Sequence, residues 1–508
     1  MSEEVGGAAA EHPLADEQAA LDLVSRLPDD PHRALADLGR WLDALSGLPE
    51  LKLARKLDIV DLIDRVARDF IGRFQSDYLA GSARTRQLAE SQQWTSATDF
   101  LRRLCAAYLN VVKDFQTYAL GWGQIRDRVP LLVARTIRVG AQRLKWQLIR
   151  YAPVEKELWA ALAQLWSYAE DRGITASRVM LYEGVESTVQ REFLKPLMLA
   201  MSAADSLPPG DLDIAERIVA HYAGRFDLQR HPAKGCHFFI DIDAGTPPAR
   251  YLPGTRVRPG VRFFGPGETV AELEALSSSI ATEESVPGKI VLEGVANIEQ
   301  VVEVLGHLGR YWWARRPGRS EERKRTLSQI AIVHGYQQIV AKLSIEAAVD
   351  LPLDDGNDLW KVENESEGGY GAVLPMGAAQ WVRVGTVLGL RPADSRTWGV
   401  GIVRRLAARE DDQRYVGIQL LGRGARIVTL RRPGDAQPAM SAVLLPSHVG
   451  ESVSQGEVTL LLPAGGFASQ STVTMQAYGR DYLLEPRMLL ETTEDYDMAY
   501  YRIVQAAQ

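Results

Sequence analysis

Apolar positions recur at helical spacing from about Asp16 to Phe226. Ile137, Ala141, Leu144, Leu148 and Tyr151 step by four and three residues, which sets them on one face of a helix. Pro153 breaks the run. Leu158, Leu162, Leu165 and Ala169 then repeat the spacing, and Asp171, Arg172 and Gly173 end it, with the glycine placed as a C-cap. The spacing predicts an antiparallel helix pair, with further helices at Leu101 to Tyr118 and Ile214 to Tyr222. No repeat of fixed period marks a solenoid. Near His231 the pattern changes. CHFFIDIDAG reads as a strand, and the Pro- and Gly-rich GTPPARYLPGTRVRPGVRFFGPG excludes helix. Thr269 to Ser277 and Ile298 to Trp313 return to helical spacing.

From about Arg315 onward the period is that of strands. Ser328 to His334, Trp381 to Leu388, Gly399 to Arg404, Tyr415 to Leu420 and Arg426 to Leu430 alternate or are rich in Val and Ile, with Gly and Pro between them. Short strands at this spacing predict a small antiparallel barrel or sandwich. Val458 to Leu462, Ser471 to Ala477 and Tyr482 to Leu484 extend that barrel or pack on it. The expected architecture is multidomain α+β: a disordered start (1–15), an all-α helical region (16–230), a mixed α/β connecting region (231–313), an antiparallel β-barrel with an Arg-rich linker before it (314–432), and a further β extension (433–508).

Length agrees with several domains, since 508 residues exceed the ~250–300 at which one core stops growing. The net charge of -7 repels polyanions, so nucleic acid is not an expected partner and any anion site must be a local basic patch. No uninterrupted apolar run reaches the ~20 residues of a membrane helix, and the acidic start MSEEVGGAAAEHPLADEQ lacks a signal pattern. Both favour the cytoplasm, without membrane insertion. The two cysteines, Cys105 and Cys236, have no metal-ligand spacing and read as buried small hydrophobes.

Candidate chemistry is confined to two places. In ARRPGRSEERKRT the cations Arg315, Arg316, Arg319, Arg323, Lys324 and Arg325 outnumber Glu321 and Glu322, and Pro317 with Gly318 disfavours a stable helix. The stretch reads as a mobile linker. In KVENESEGGYGAVLP, Asn364, Ser366 and Gly369 stand at positions one, three and six where a strand meets a turn. Each alone has an ordinary explanation, a solvated linker and a turn built from turn-forming residues.

Together the two resemble the PilZ family, whose signature is an R-x-x-x-R pair before the first barrel strand and a later D/N-x-S-x-x-G run. Here these read Arg319-Ser-Glu-Glu-Arg323 and Asn364-Glu-Ser366-Glu-Gly-Gly369, in that order. GVGIVRRL, AREDDQR and YVGIQLL resemble the family's closing hairpin. The resemblance spans about Arg315 to Leu430 and implies a PilZ-like barrel that binds cyclic di-GMP. The spacing between Arg323 and Asn364 is long for the family, with the surplus assigned to the acidic loop DLPLDDGNDLW.

The residue types suit that ligand. A guanidinium forks onto guanine O6 and N7 or onto a phosphate, and lies flat against a base. Arg319 and Arg323 would each take one of these tasks, with Arg315, Arg316 and Arg325 as further cations. Asn364 and Ser366 would meet base edges or phosphate oxygens, and Gly369, with Gly368 and Gly371 beside it, would permit close backbone approach.

Other groups give no catalytic or metal pattern. His237, Asp241 and Asp243 lack a second histidine and read as a strand edge, and the acids of the 350–358 loop do not match a calcium loop. The basic series Arg135, Arg138, Arg143, Lys145 and Arg150 reads as a solvated helix face. The expected function is a non-enzymatic cyclic di-GMP receptor without a cofactor, signalling by ordering of the Arg-rich linker. A protein partner would dock on the helical region, and the output would concern pili, attachment, motility or biofilm. The alternative is a ligand-free PilZ-like adaptor docking to a motility or secretion machine.

Overall fold

The computed structural model describes residues 17–48, 50–80, 87–252, 254–283, 297–313, 323–345, 357–409, 411–432, 439–446 and 456–506. The chain splits into two compact units, Met1–Ala204 with Pro209–Pro317, and Asp205–Pro208 with Gly318–Gln508.

The first unit is built on helices α1 (Glu17–Ser25), α2 (Pro31–Leu45), α3 (Leu53–Ala80), α4 (Gln87–Gln116), α5 (Val129–Ile149), α6 (Lys156–Asp171), α7 (Val189–Ala200), α8 (Pro209–Tyr222), α9 (Thr269–Glu283) and α10 (Ile298–Trp312). Local signals set their ends. Asp30 caps α2 by accepting from the His32 amide at 3.0 Å, with Pro31 in the first turn. Asn297 caps α10 through the Glu299 amide at 2.8 Å. Val301, Val304, Leu305, Leu308 and Trp312 then form its buried stripe, and the Trp312 indole N–H donates to Ser202 Oγ at 2.9 Å.

Two features lie outside a purely helical pattern. A hairpin of β1 (Arg178–Tyr182) and β2 (Val185–Thr188) interrupts the helices, turning at Gly184 with φ 72°. The connecting region forms a four-stranded sheet from β3 (Asp227–Gln229), β4 (Phe238–Asp241), β5 (Ala249–Arg250) and β6 (Val261–Gly265), in the order β3-β6-β4-β5. Asp241 accepts from the Ala244 amide at 3.1 Å and so closes the turn after β4.

The reading of the α5 cations as a solvated face is overturned. Helix α5 is buried on most of its circumference, and Arg135, Arg138, Arg143 and Lys145 face acids from elsewhere in the first unit. Arg135 pairs with Asp61 at 2.7 Å, Arg143 with Glu155, and Arg138 lies 3.8 Å from both Glu192 and Glu216. Lys145 is buried against Asp213 and reaches Glu216 at 3.3 Å. Arg150 lies over Trp94, 5.4 Å from the ring centre. Burial works against ionisation of Glu216, but Lys145 and Arg138 outweigh it and hold the carboxyl down at about 2. Both cysteines are buried, and burial pushes both thiols to about 11. Among the described residues no helix is long and apolar enough to cross a membrane.

The second unit holds two closed antiparallel barrels. The first is formed by β7 (Lys324–His334), β8 (Asp358–Ser366), β9 (Gly369–Pro375), β10 (Val387–Pro392), β11 (Gly399–Ala408) and β12 (Gln413–Arg423), in the order β10-β11-β12-β9-β8-β7. Alternation fills it: Trp360 and Val362, Leu406, and Val416 and Ile418 are buried on one face of their strands. The second is formed by β13 (Arg426–Arg431), β14 (Met440–Leu445), β15 (Glu457–Pro463), β16 (Val473–Ala477), β17 (Arg480–Thr492) and β18 (Tyr496–Ala506), in the order β13-β14-β15-β18-β17-β16. The run Arg426 to Leu430 thus opens the second barrel. Of the run Trp381 to Leu388 only the end is strand. Ala379 and Gly385 take positive φ on either side of Trp381, whose ring stacks on His334 at 3.8 Å.

One helix stands within this β-rich half, α11 (Tyr336–Ile345). Tyr336, Ile339 and Leu343 are buried in one cluster with Val387, Trp398, Val400 and Ile402 of the first barrel and Val443, Leu461, Tyr496 and Met498 of the second. The Tyr336 hydroxyl donates to the Ser441 carbonyl at 2.6 Å, and Asp495 accepts from the Tyr336 amide at 3.0 Å. Arg404 on β11 forks onto Glu491 on β17 at 3.0 and 2.7 Å, and the Tyr496 hydroxyl donates to the same carboxylate at 2.7 Å.

Candidate functional site

Strand pairing brings the second half of the arginine motif to the asparagine motif. Arg323 immediately precedes β7, and two residues later Arg325 stands in register with Asn364 on β8. A bulge follows between Arg325 and Ser328, so the strand bends where it meets the lip of the barrel. A second bulge lies between Val362 and Asn364 on the pairing of β8 with β9. Across this irregular corner Arg323 Nη1 donates to Asn364 Oδ1 at 2.9 Å and to the Tyr415 hydroxyl.

The register continues across the sheet. Asn364 faces Gly371 on β9, Gly371 faces Gly417 on β12, and Gly417 faces Arg405 on β11. Two glycines thus lie between the polar ends of one row. A β-carbon on Gly371 would stand 2.5 Å from both Asn364 Oδ1 and the Tyr415 hydroxyl oxygen. The missing side chain is what lets those groups converge.

Tyr415 is braced from the other side. Glu363 accepts two hydrogen bonds from Arg409, at 2.9 and 2.8 Å, and the Arg409 guanidinium lies over the Tyr415 ring, 5.2 Å from its centre. The paired hydrogen bonds hold the Glu363 carboxyl below the usual glutamate range and raise Arg409.

The remaining motif residues are placed as follows. Ser366 is half-buried and shares the Asn364 face of β8, paired with Gly369. Gly369 begins β9 at φ 154°, and a β-carbon there would stand 2.0 Å from the Ile418 carbonyl oxygen, so this glycine is demanded by the sheet itself. The Gly368 carbonyl accepts from the Leu420 amide at 2.8 Å. Arg323, Lys324 and Arg325 are all exposed at the start of β7. Arg315, Arg316 and Arg319 lie outside the described residues, as does the Glu321–Glu322 pair.

Sequence reasoning missed Tyr415, Arg409 and Glu363. The signal available for Tyr415 was its outward position in YVGIQLL, two residues from a glycine on the same face and between inward-facing neighbours. The chemistry of the assembled corner is that of an anion and base-edge binder: three exposed cations, an amide, a hydroxyl from Ser366 and a ring surface. Among the described residues no group of His, Cys, Asp and Glu is placed to hold a metal ion, and Asp241, one of the acids near His237, serves its own turn.

No curated protein and no solved structure matches the chain. Two family models do. Residues 18–233 match the one described as cyclic-di-GMP receptor FimW, N-terminal domain, and residues 357–426 match cyclic-di-GMP receptor FimW, middle PilZ domain. The second match covers Asn364, Ser366 and Gly369 and begins after the arginine motif. The two belong to one family, follow in order and together take in more than half of the chain, which therefore belongs to the family of the cyclic-di-GMP receptor FimW, a family described by binding and not by catalysis, with its PilZ barrel in the carboxy-terminal half.

Proposed function

We propose that this chain binds cyclic di-GMP at the corner where Arg323 meets Asn364. The observation that carries the reading is that hydrogen-bonded pair: two motifs far apart in the chain supply a cation and an amide to one point on the lip of the PilZ barrel. Arg323 remains exposed, so its other donors are available to a phosphate or a guanine edge. Arg319 brings the second guanidinium, with Arg315, Arg316 and Arg325 adding positive field. Asn364 and Ser366 contact base edges or phosphate oxygens, and the exposed Gly368 in the turn before Gly369 permits close approach to the backbone.

Ligand binding fixes the arginine-rich stretch against the barrel, and this ordering carries the signal towards the helical region, where a protein partner docks. The protein acts in the cytoplasm without a catalytic step, and its output is control of pili, attachment, motility or biofilm. Calorimetry on the full chain tests the core of the reading. Saturable binding is expected, weakened at least about tenfold by Arg323→Ala and by Arg319→Ala, since each removes a charge-assisted contact. Absence of binding to the unaltered chain, or binding indifferent to both substitutions, overturns it.

A further inference from the structure

We infer that Tyr415 is a positioning residue for the dinucleotide site, holding Arg323 in place before ligand arrives; this rests on the binding reading above. The argument begins with entropy. An exposed arginine samples many rotamers, and immobilising such a side chain on binding costs affinity. Arg323 is exposed, yet one of its nitrogens is already engaged by two acceptors, Asn364 Oδ1 and the Tyr415 hydroxyl. That engagement has value only if the acceptors are themselves fixed.

Tyr415 is fixed from three sides. Its backbone pairs with Val373 in the closed barrel, and the sheet below lacks the side chain that would displace its hydroxyl, since Gly371 leaves that space open. A β-carbon on Gly417 would stand 3.6 Å from the Tyr415 ring, at ordinary contact distance, so the ring lies along the glycine row. The Arg409 guanidinium covers the ring and is itself pinned by two hydrogen bonds to Glu363. A hydroxyl held this way presents an acceptor at a set point, and Arg323 reaches it without closing the rest of its donor fork. Tyr415 thus acts through Arg323.

The test is a double-mutant cycle on the full chain, reading cyclic di-GMP affinity by calorimetry and thermal midpoint in parallel. Tyr415→Phe keeps the ring and removes the acceptor. It is expected to weaken binding about fivefold, the loss of one hydrogen bond's worth of positioning, with the thermal midpoint unmoved. In the Arg323→Ala background the same change is expected to have no further effect. If Tyr415→Phe binds as the unaltered chain does while Arg323→Ala has lost affinity, the positioning role is wrong and the site reading stands. An equal loss in both backgrounds means the hydroxyl touches the ligand itself, and again overturns the role. If Arg323→Ala binds normally the positioning role falls, and if Arg319→Ala binds normally as well the site reading falls with it.

Discussion

The carbonyl oxygen of Ile418 occupies the space that a β-carbon on Gly369 would need, 2.0 Å away, whereas a β-carbon on Gly371 would first meet the ends of the Asn364 and Tyr415 side chains. Two glycines two residues apart on one strand therefore answer to different constraints. Gly369→Ala must move backbone of the adjacent strand and is expected to destabilise the barrel by about 2 kcal/mol or more, seen as a lowered thermal midpoint. Gly371→Ala meets side-chain ends and not backbone, and pushes the Asn364 amide and the braced Tyr415 hydroxyl away from their positions. It is expected to leave the midpoint within a few degrees and to weaken cyclic di-GMP binding. A Gly371→Ala protein with full affinity would contradict the geometry of the corner.

Lys145 is the central cation of the first unit's interior, in contact with Asp213 and 3.3 Å from Glu216. Lys145→Met preserves much of the volume and removes one of the two cations on the buried Asp213, leaving Arg217 at 2.9 Å. The expected cost is about 2–3 kcal/mol, read from urea denaturation, because Asp213 and Glu216 each lose one charge-assisted partner and keep another, Arg217 and Arg138. A loss below about 1 kcal/mol would mean that water already reaches these groups.

Acid should act on the same network with a definite sign. The folded-state carboxyl of Glu216 sits at about 2 against an ordinary value of 4.5. A depressed carboxyl contributes stability that is complete above the ordinary value, fades as the pH falls below it and is gone below about 2. Glu216→Gln should be less stable at neutral pH and lose less on acidification between those limits. Parallel stability curves for the two proteins between pH 5 and 2 would refute the assignment.

Arg404 and Glu491 join the two barrels by a partly exposed fork. Either Arg404→Met or Glu491→Gln is expected to cost about 1–2 kcal/mol, with strong non-additivity when combined. Arg404 also donates to Gln419 at 2.8 Å, and Gln419 stands in register with Gly369, so the substitutions touch β12, the strand that carries Tyr415. Hydrogen exchange at β12 amides would report the loosening.

The sequence made the motif residues legible for a local reason. Asn364 and Ser366 lie at the end of β8, Gly369 opens β9, and Arg323 precedes the strand paired with β8, so two short patterns sufficed to bring Arg323 beside Asn364, while Arg319 lies outside the described residues. Tyr415 was hidden because its role depends on the closure of β12 against β9, which no local pattern announces. The α5 cations were misread for the same reason: Asp61, Glu192, Asp213 and Glu216 come from three other helices, and a basic series looks the same whether water or a carboxylate lies opposite. Helix α11 escaped because its apolar face is short and its surroundings are rich in strand-forming residues.

The apolar cluster around Tyr336, Trp398 and Tyr496 takes no notice of where one barrel ends and the next begins. Severing the chain between Arg423 and Arg426 would strip the sensor of one wall of its own interior and leave Trp398 and Val400 facing water. The smallest piece that can carry the proposed nucleotide site must therefore include the strands that follow it, and the carboxy-terminal barrel is as much a foundation of the corner where Arg323 meets Asn364 as the strands that bear it.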